Sequence, residues 1–310
     1  MFRFLFSRLL SAAVVILGVA CLVFLLIHLV PGDPVEVMLG ESAQPAEREA
    51  LREALGLDQP IGAQLARYLK GIAQLNFGYS LHTKRPVAEV LAERIPATLV
   101  LALTALLVAV SIAIPLGAIA AARKGSAWDR FAMGFAMVGV SIPNFVVGPV
   151  LILVFSVWLQ WLPVSGREEG VPSLILPAIT LGTALAAILS RMTRSSLLEV
   201  LGDDFVRTAR AKGLREYRVI LGHALPNAAL SILTVLGLQL GALLGGAVIT
   251  ESVFSWPGIG QLTIEAIERR DYPVLQGCVL VISLAYVAVN TMTDLIYAGL
   301  DPRIHLGEQK

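Results

Sequence analysis

The stretch IPATLVLALTALLVAVSIAIPLGAIAAA, Ile95–Ala122, contains no charged residue. A bilayer core about 30 Å thick needs roughly 20 predominantly apolar residues in a helix. Only helices and closed barrels satisfy their backbone polar groups at that depth. The run therefore predicts a transmembrane helix. Similar charge-free runs lie on both sides of it: Leu9–Val30 before, then Phe131–Gly166, Val171–Ser190, Leu221–Thr250 and Tyr272–Thr293. Phe131–Gly166 is too long for one straight span, and Trp158 and Trp161 mark its exit as interfacial aromatics do. Pro226 interrupts the fifth run, so its membrane part is expected to start just after that residue. The expected fold class is an all-α polytopic membrane protein with six transmembrane helices.

Composition agrees. Of 310 residues, 56% are hydrophobic and only 15% charged, and the mean hydropathy is +0.76. A soluble domain carries about 25% charge. A cytosolic enzyme, a disordered chain and a secreted disulfide scaffold are excluded. The net charge of +1 offers no nucleic-acid-binding surface. Cys21 and Cys278 lie in apolar runs and read as buried thiols. The four histidines, His28, His82, His223 and His305, show no metal-ligand spacing. Arg3 and Arg8 precede the first run in the manner of a signal peptide. The run is too long for a signal h-region, and Pro31-Gly32-Asp33-Pro34 gives no cleavage site, so it reads as a retained helix.

Orientation follows from Lys and Arg in the short connections. With the N-terminus inside, the internal segments hold fourteen such residues and the short external loops only Arg167, Arg269 and Arg270. Both termini are expected in the cytoplasm. Residues 31–94 then form an external segment. Within it, Ala46–Leu55 and Ala63–Leu75 read as short amphipathic helices, with Leu65, Leu69 and Ile72 on one face.

Small residues recur every fourth position in three runs: Ala105, Ala109, Ala113, Gly117 and Ala121; Ala178, Gly182, Ala186 and Ser190; Gly237, Gly241 and Gly245. Such ladders let helix backbones approach closely where lipid supplies no hydrophobic drive. Around Pro143 stands a polar patch. Ser141 and Asn144, three apart, are expected on one helix face, and Gln239 lies at similar depth in the fifth run. These are candidates for a polar translocation path, with Glu251 at its outer gate. Asp294, just past the sixth run at the inner end of its helix, is the one intramembrane charge candidate, so no relay of mid-membrane carboxylates or histidines is in sight. Neither a phosphate-binding Gly-x-x-x-x-Gly-Lys-Ser/Thr loop nor a Gly-x-Ser-x-Gly or His-Glu-x-x-His motif occurs. The chain is expected to be no enzyme and to bind no cofactor or metal of its own. A proton-coupled carrier, or a receptor without flux, is the rival class.

The internal segment 191–226 is unusually basic. Asp203-Asp204-Phe205-Val206-Arg207-Thr208-Ala209-Arg210-Ala211-Lys212-Gly213-Leu214 predicts a helix of about two turns, with Asp203 as N-cap and Gly213 as the glycine beyond its end. A second helix runs from Tyr217 through His223 to Leu225-Pro226. A basic, partly apolar helix pair of this kind suits a docking surface or an anionic lipid headgroup layer.

This segment resembles the cytoplasmic motif of the permease subunits of binding-protein-dependent ABC importers: Glu-Ala-Ala, three residues, Gly, nine residues, Ile, one residue, Leu-Pro. Here Arg207-Thr208-Ala209 stands for Glu-Ala-Ala, Gly213 is the glycine, His223 replaces Ile and Leu225-Pro226 close the motif. The departures are similar to those of the dipeptide, oligopeptide, glutathione and nickel branch. Leu29–Pro34, Leu55–Pro60, Asn76–Ser80, Glu251–Gly260, Arg270–Pro273 and Asp301–Ile304 also resemble that branch's B-type permease.

The resemblance implies a type I importer permease fold. It implies a second, C-type permease, two ATPase subunits that bind ATP and Mg, and a periplasmic or lipid-anchored substrate-binding protein, in a bacterial inner membrane. Residues 1–30 would be an added helix, 31–94 the periplasmic segment, 95–298 the permease core with its coupling loop 191–226, and 299–310 a cytoplasmic tail. Residues 203–214 would couple to an ATPase. The substrate would be a di- or oligopeptide, a glutathione-like peptide included, with nickel as the alternative.

Overall fold

The computed structural model describes residues 2–29, 35, 44–55 and 58–300. The helices in chain order are α1 (Phe2–Leu29), α2 (Pro45–Leu55), α3 (Ile61–Ala73), α4 (Val87–Ala122), α5 (Ala127–Ser141) and α6 (Asn144–Leu151), which continues as a π-helical turn, Ile152–Trp158. Then come α7 (Val171–Val200), α8 (Asp204–Ala211), α9 (Glu216–Val219) with a second π turn, Ile220–Ala224, α10 (Leu225–Val253), α11 (Ile259–Glu268) and α12 (Tyr272–Leu300). Among the described residues, four helical stretches are long and apolar enough to cross a membrane: Val87–Ala122, Val171–Val200, Glu216–Gly241 and Tyr272–Ile296. The pair α5 and α6 through Trp158 is apolar enough when taken together and adds a fifth where it counts as one broken span, and Leu10–Leu25 is a shorter apolar helix.

The structure differs from the sequence reading in the third run: α5 and α6 are bent by 102° at Ile142–Pro143. The residue before a proline is pushed out of the helical region, and Ile142 sits at φ −94, ψ 118. Ser141 and Asn144 therefore belong to different helices and share no face. Pro226 stands in the first turn of α10, where its missing N–H costs no helix bond, and the wide turn at Ile220–Ala224 leads into it.

The chain divides into two compact units. One comprises residues 1–97 and 257–285. In it α3 turns Leu65, Tyr68, Leu69 and Ile72 inward, as half-buried residues, and Tyr68 meets Phe24 of α1 with ring centroids 5.6 Å apart. Its core joins Val87, Val90 and Leu91 at the start of α4 to Ile259, Leu262 and Ala266 of α11 and Val274 and Cys278 of α12. The buried Asp271 accepts hydrogen bonds from Ser80 Oγ at 2.5 Å, Leu81 N at 3.1 Å and His82 N at 3.3 Å. It thereby pins the hairpin closed by the Tyr79–Pro86 bridge.

The other unit comprises residues 98–256 and 286–310. Its hub is α7, two-thirds buried along its apolar window. The ladders of α4 and α7 face each other. A Cβ on Gly182 would lie 2.8 Å from the carbonyl oxygen of Ala105, and one on Gly117 would lie 2.7 Å from that of Ser190. Only glycine permits these approaches. On α10, Gly237 packs on Thr293 and Gly241 on Tyr286 of α12.

Candidate coupling site and translocation path

Helix α8 follows α7 after three residues. Val206 and Ala209, three apart, lie on its inner face and join Val219 of α9, with Val200, Leu201 and Leu214 packed around them. Its end is closed by a Schellman motif. Gly213 N donates to Arg210 O at 2.9 Å, and Leu214 N to Ala209 O at 3.4 Å. Gly213 has φ +78, the left-handed conformation that glycine adopts without strain. The Leu214 side chain rests on the Ala209 cluster, completing the motif's apolar contact.

At the start of the helix Asp203 occupies the N-cap position, but its side chain makes no capping hydrogen bond; its backbone oxygen receives Val206 N and Arg207 N instead. Arg210 forks onto Glu216 at 2.6 and 3.2 Å, tying α8 to α9. That pairing raises the Arg210 guanidinium above its ordinary value, chiefly through the hydrogen bond. Asp203, Asp204, Phe205, Arg207, Thr208, Arg210, Ala211, Lys212 and Gly213 are exposed. The result is a short helix closed onto a small apolar base, showing one aromatic ring among charged groups. The sequence placed Arg191–Val200 in a loop as well; these residues continue α7, because Leu197 and its neighbours extend the buried stripe of that helix.

The path candidates stand on three helices, α5, α6 and α10. Ser141 is exposed and its hydroxyl donates to Met137 O at 2.8 Å. Asn144 and Gln239 are half-buried, on α6 and α10. Glu251 is fully buried rather than open at a mouth, and accepts a hydrogen bond from Thr98 Oγ1 at 2.7 Å. The turn after it is enclosed too. Phe254 and Trp256 are 2% and 1% exposed. Phe254 packs on Gly148 of α6, Gly166 N donates to Phe254 O, and the Arg167 guanidinium stands 5.7 Å from the Trp256 ring. Trp256 is therefore enclosed by the chain itself.

Sequence reasoning missed one pair near the end of α7. Asp129 on the first turn of α5 accepts from Arg194 of α7, Nε at 2.5 Å and Nη2 at 2.8 Å, and from Gly125 N at 2.9 Å. The sequence signals only the helix start there: Ser126 and Asp129 have the spacing of a capping box, and Ser126 Oγ accepts from Asp129 N; nothing local points to Arg194.

The fold is that of type I ABC importer permeases. The MetNI methionine ABC transporter in inward-facing conformation superposes with a TM-score of 0.59 at 18% identity, over 68% of this chain and 96% of that one. An amino acid ABC transporter gives 0.51 at 16% identity, over 68% and 94%. Residues 113–306 match the model of the binding-protein-dependent transport system inner membrane component, and residues 1–102 match that of its N-terminal companion. The chain belongs to this family. The dipeptide transport system permease protein DppB of Escherichia coli K12 is 43% identical over 335 residues, 98% of this chain and 99% of the relative. The glutathione transport system permease protein GsiC of Salmonella paratyphi A is 42% identical over 304 residues, with the same shares.

Proposed function

We infer that this chain is one of two transmembrane subunits of an ATP-driven importer for short peptides, spanning the inner membrane six times with both termini in the cytoplasm. The observation that carries this reading is the coupling helix. Its glycine-closed end, fixed base and exposed basic and aromatic face suit transmission of force from a soluble partner, and they coincide with the importer motif. Residues 203–214 dock on an ATPase subunit, which binds the ATP and Mg. A second permease completes the path, and a soluble binding protein delivers the substrate from outside. Asn144 and Gln239, half-buried on different helices, remain the path candidates, with Glu251 acting at the outer end through its enclosed bond to Thr98.

The two relatives, a dipeptide and a glutathione permease, are similar to this chain to nearly the same degree, 43% and 42%, so the proposed substrates are dipeptides and glutathione-like peptides. Reconstitution with a partner permease, ATPase subunits and binding protein in proteoliposomes tests this. ATP-dependent uptake of labelled glutathione or dialanine, and none of Ni²⁺, is expected. Uptake by this chain alone under a proton gradient would overturn the reading.

A further inference from the structure

We propose that the part-buried pair Asp129–Arg194 is the joint through which movement of the coupling helix reaches the transmembrane helices, so that both are positioning residues for transport. The proposal rests on the importer reading above. Helix α7 is uninterrupted from Val171 to Val200, and only residues 201–203 separate it from α8. Whatever displaces α8 therefore displaces the end of α7. Toward α4 and α5, α7 makes its closest approaches through small residues: Gly182 against Ala105 and Val108, Ser190 and Thr193 against Gly117, Ala187 against Gly139. Such contacts allow close approach, but they carry no directional bond, and a helix can shift along them.

Arg194 lies in the last two turns of α7 and changes that. Its planar guanidinium meets both oxygens of Asp129, a geometry with a defined direction that a single apolar contact lacks. The same carboxylate holds Gly125 N in the turn that ends α4, where Gly125 has φ +79. One side chain thus binds three elements at one point: the end of α7, the first turn of α5 and the α4–α5 turn. Its side chain is 7% exposed and that of Arg194 24%, so water competes little for the pair. Movement of the α7 end is passed to α4 and α5 together.

The test uses the complete reconstituted importer with loaded binding protein, with labelled dialanine and glutathione as probes. Uptake and ATP hydrolysis are both normalised to assembled complex. Arg194→Gln and Asp129→Asn are expected to lower uptake per ATP by about five-fold or more, with hydrolysis held within about two-fold, the lower end of the usual coupling range. Arg194→Lys, which keeps the charge and loses the fork, should fall between. The exchange Asp129→Arg with Arg194→Asp should recover a large part of the ratio. An unchanged ratio in Arg194→Gln overturns the proposal and leaves a plain brace. If that variant does not assemble, the ratio in Arg194→Lys decides in the same way. A wild-type assembly without uptake of either probe overturns the importer reading itself, whereas wild-type uptake with unchanged ratios overturns only the joint.

Discussion

Asp271 in one unit and Asp129 in the other are buried carboxylates of nearly equal exposure, 4% and 5%, yet they are held by different chemistry. Asp271 is surrounded by neutral donors, one hydroxyl and two backbone amides, all from the hairpin at residues 80–82. Asp129 is held mainly by a guanidinium from another helix. Neutral donors fix a loop without burying a second charge. An arginine pair costs more desolvation, but it joins two long elements in one orientation. The first device suits a hairpin that stays in place. The second suits helices that must move together.

The largest effect is expected at the charged clamp. Asp129→Ala leaves the guanidinium without its partner, and a broken buried pair costs about 3–5 kcal/mol. The part-exposed Arg194 places this case near about 3 kcal/mol. Thermal unfolding of the solubilised protein measures it, and a loss no greater than that of Ser80→Ala would erase the contrast between the two clamps. Next comes the ladder that supports the arginine's helix. Gly182→Val drives carbon against the Ala105 carbonyl and Val108. Overpacking of this kind costs about 1–3 kcal/mol and should appear as a lower unfolding temperature, with Gly245→Ala, which meets open space, nearly silent.

Ser80→Ala tests the neutral clamp. Asp271 keeps two backbone donors, so the loss should be that of one bond to a charged acceptor, about 1.5 kcal/mol. Faster hydrogen exchange confined to residues 78–86 would mark it as local. Gly213→Val forces a branched side chain into the left-handed region, about 1–2 kcal/mol of local strain. It should leave assembly intact while substrate-stimulated ATP hydrolysis falls; unchanged stimulation would dissociate the turn from coupling. Smallest is Arg210→Ala. Its pair with Glu216 is 42% and 50% exposed, so the loss should stay below about 1 kcal/mol and fade in high salt. It thus serves as the exposed counterpart of Arg194.

Much of this architecture is legible in the chain itself. The charge-free runs become helices because their length and composition leave lipid as the natural solvent. The four-residue ladders of α4 and α7 announce a close crossing, and these two do pack on each other at Gly117 and Gly182. Gly213 ends α8 as its position between Lys212 and Leu214 suggests, since a Schellman turn depends on residues only a few positions apart. The bend at Pro143 was partly legible. An overlong run with a proline predicts an interruption, but the 102° angle comes from how the two halves pack.

The clamps were not legible, for a reason of distance. Ser80 and Asp271 are 191 residues apart, and Asp129 and Arg194 are 65 apart. Each looks like an ordinary polar residue near a helix end until the fold removes water around it. Glu251 shows the same limit from the other side. Its place at the end of an apolar run suggested an open gate, whereas packing of Phe254 and Trp256 encloses that turn and turns the carboxylate toward Thr98. Local pattern decided which segments are helical, where they stop and which faces are smooth, because those properties depend on neighbours within a few residues. Which charges become buried, and what they then hold together, was decided only by the tertiary structure, because desolvation is a property of the whole packed unit.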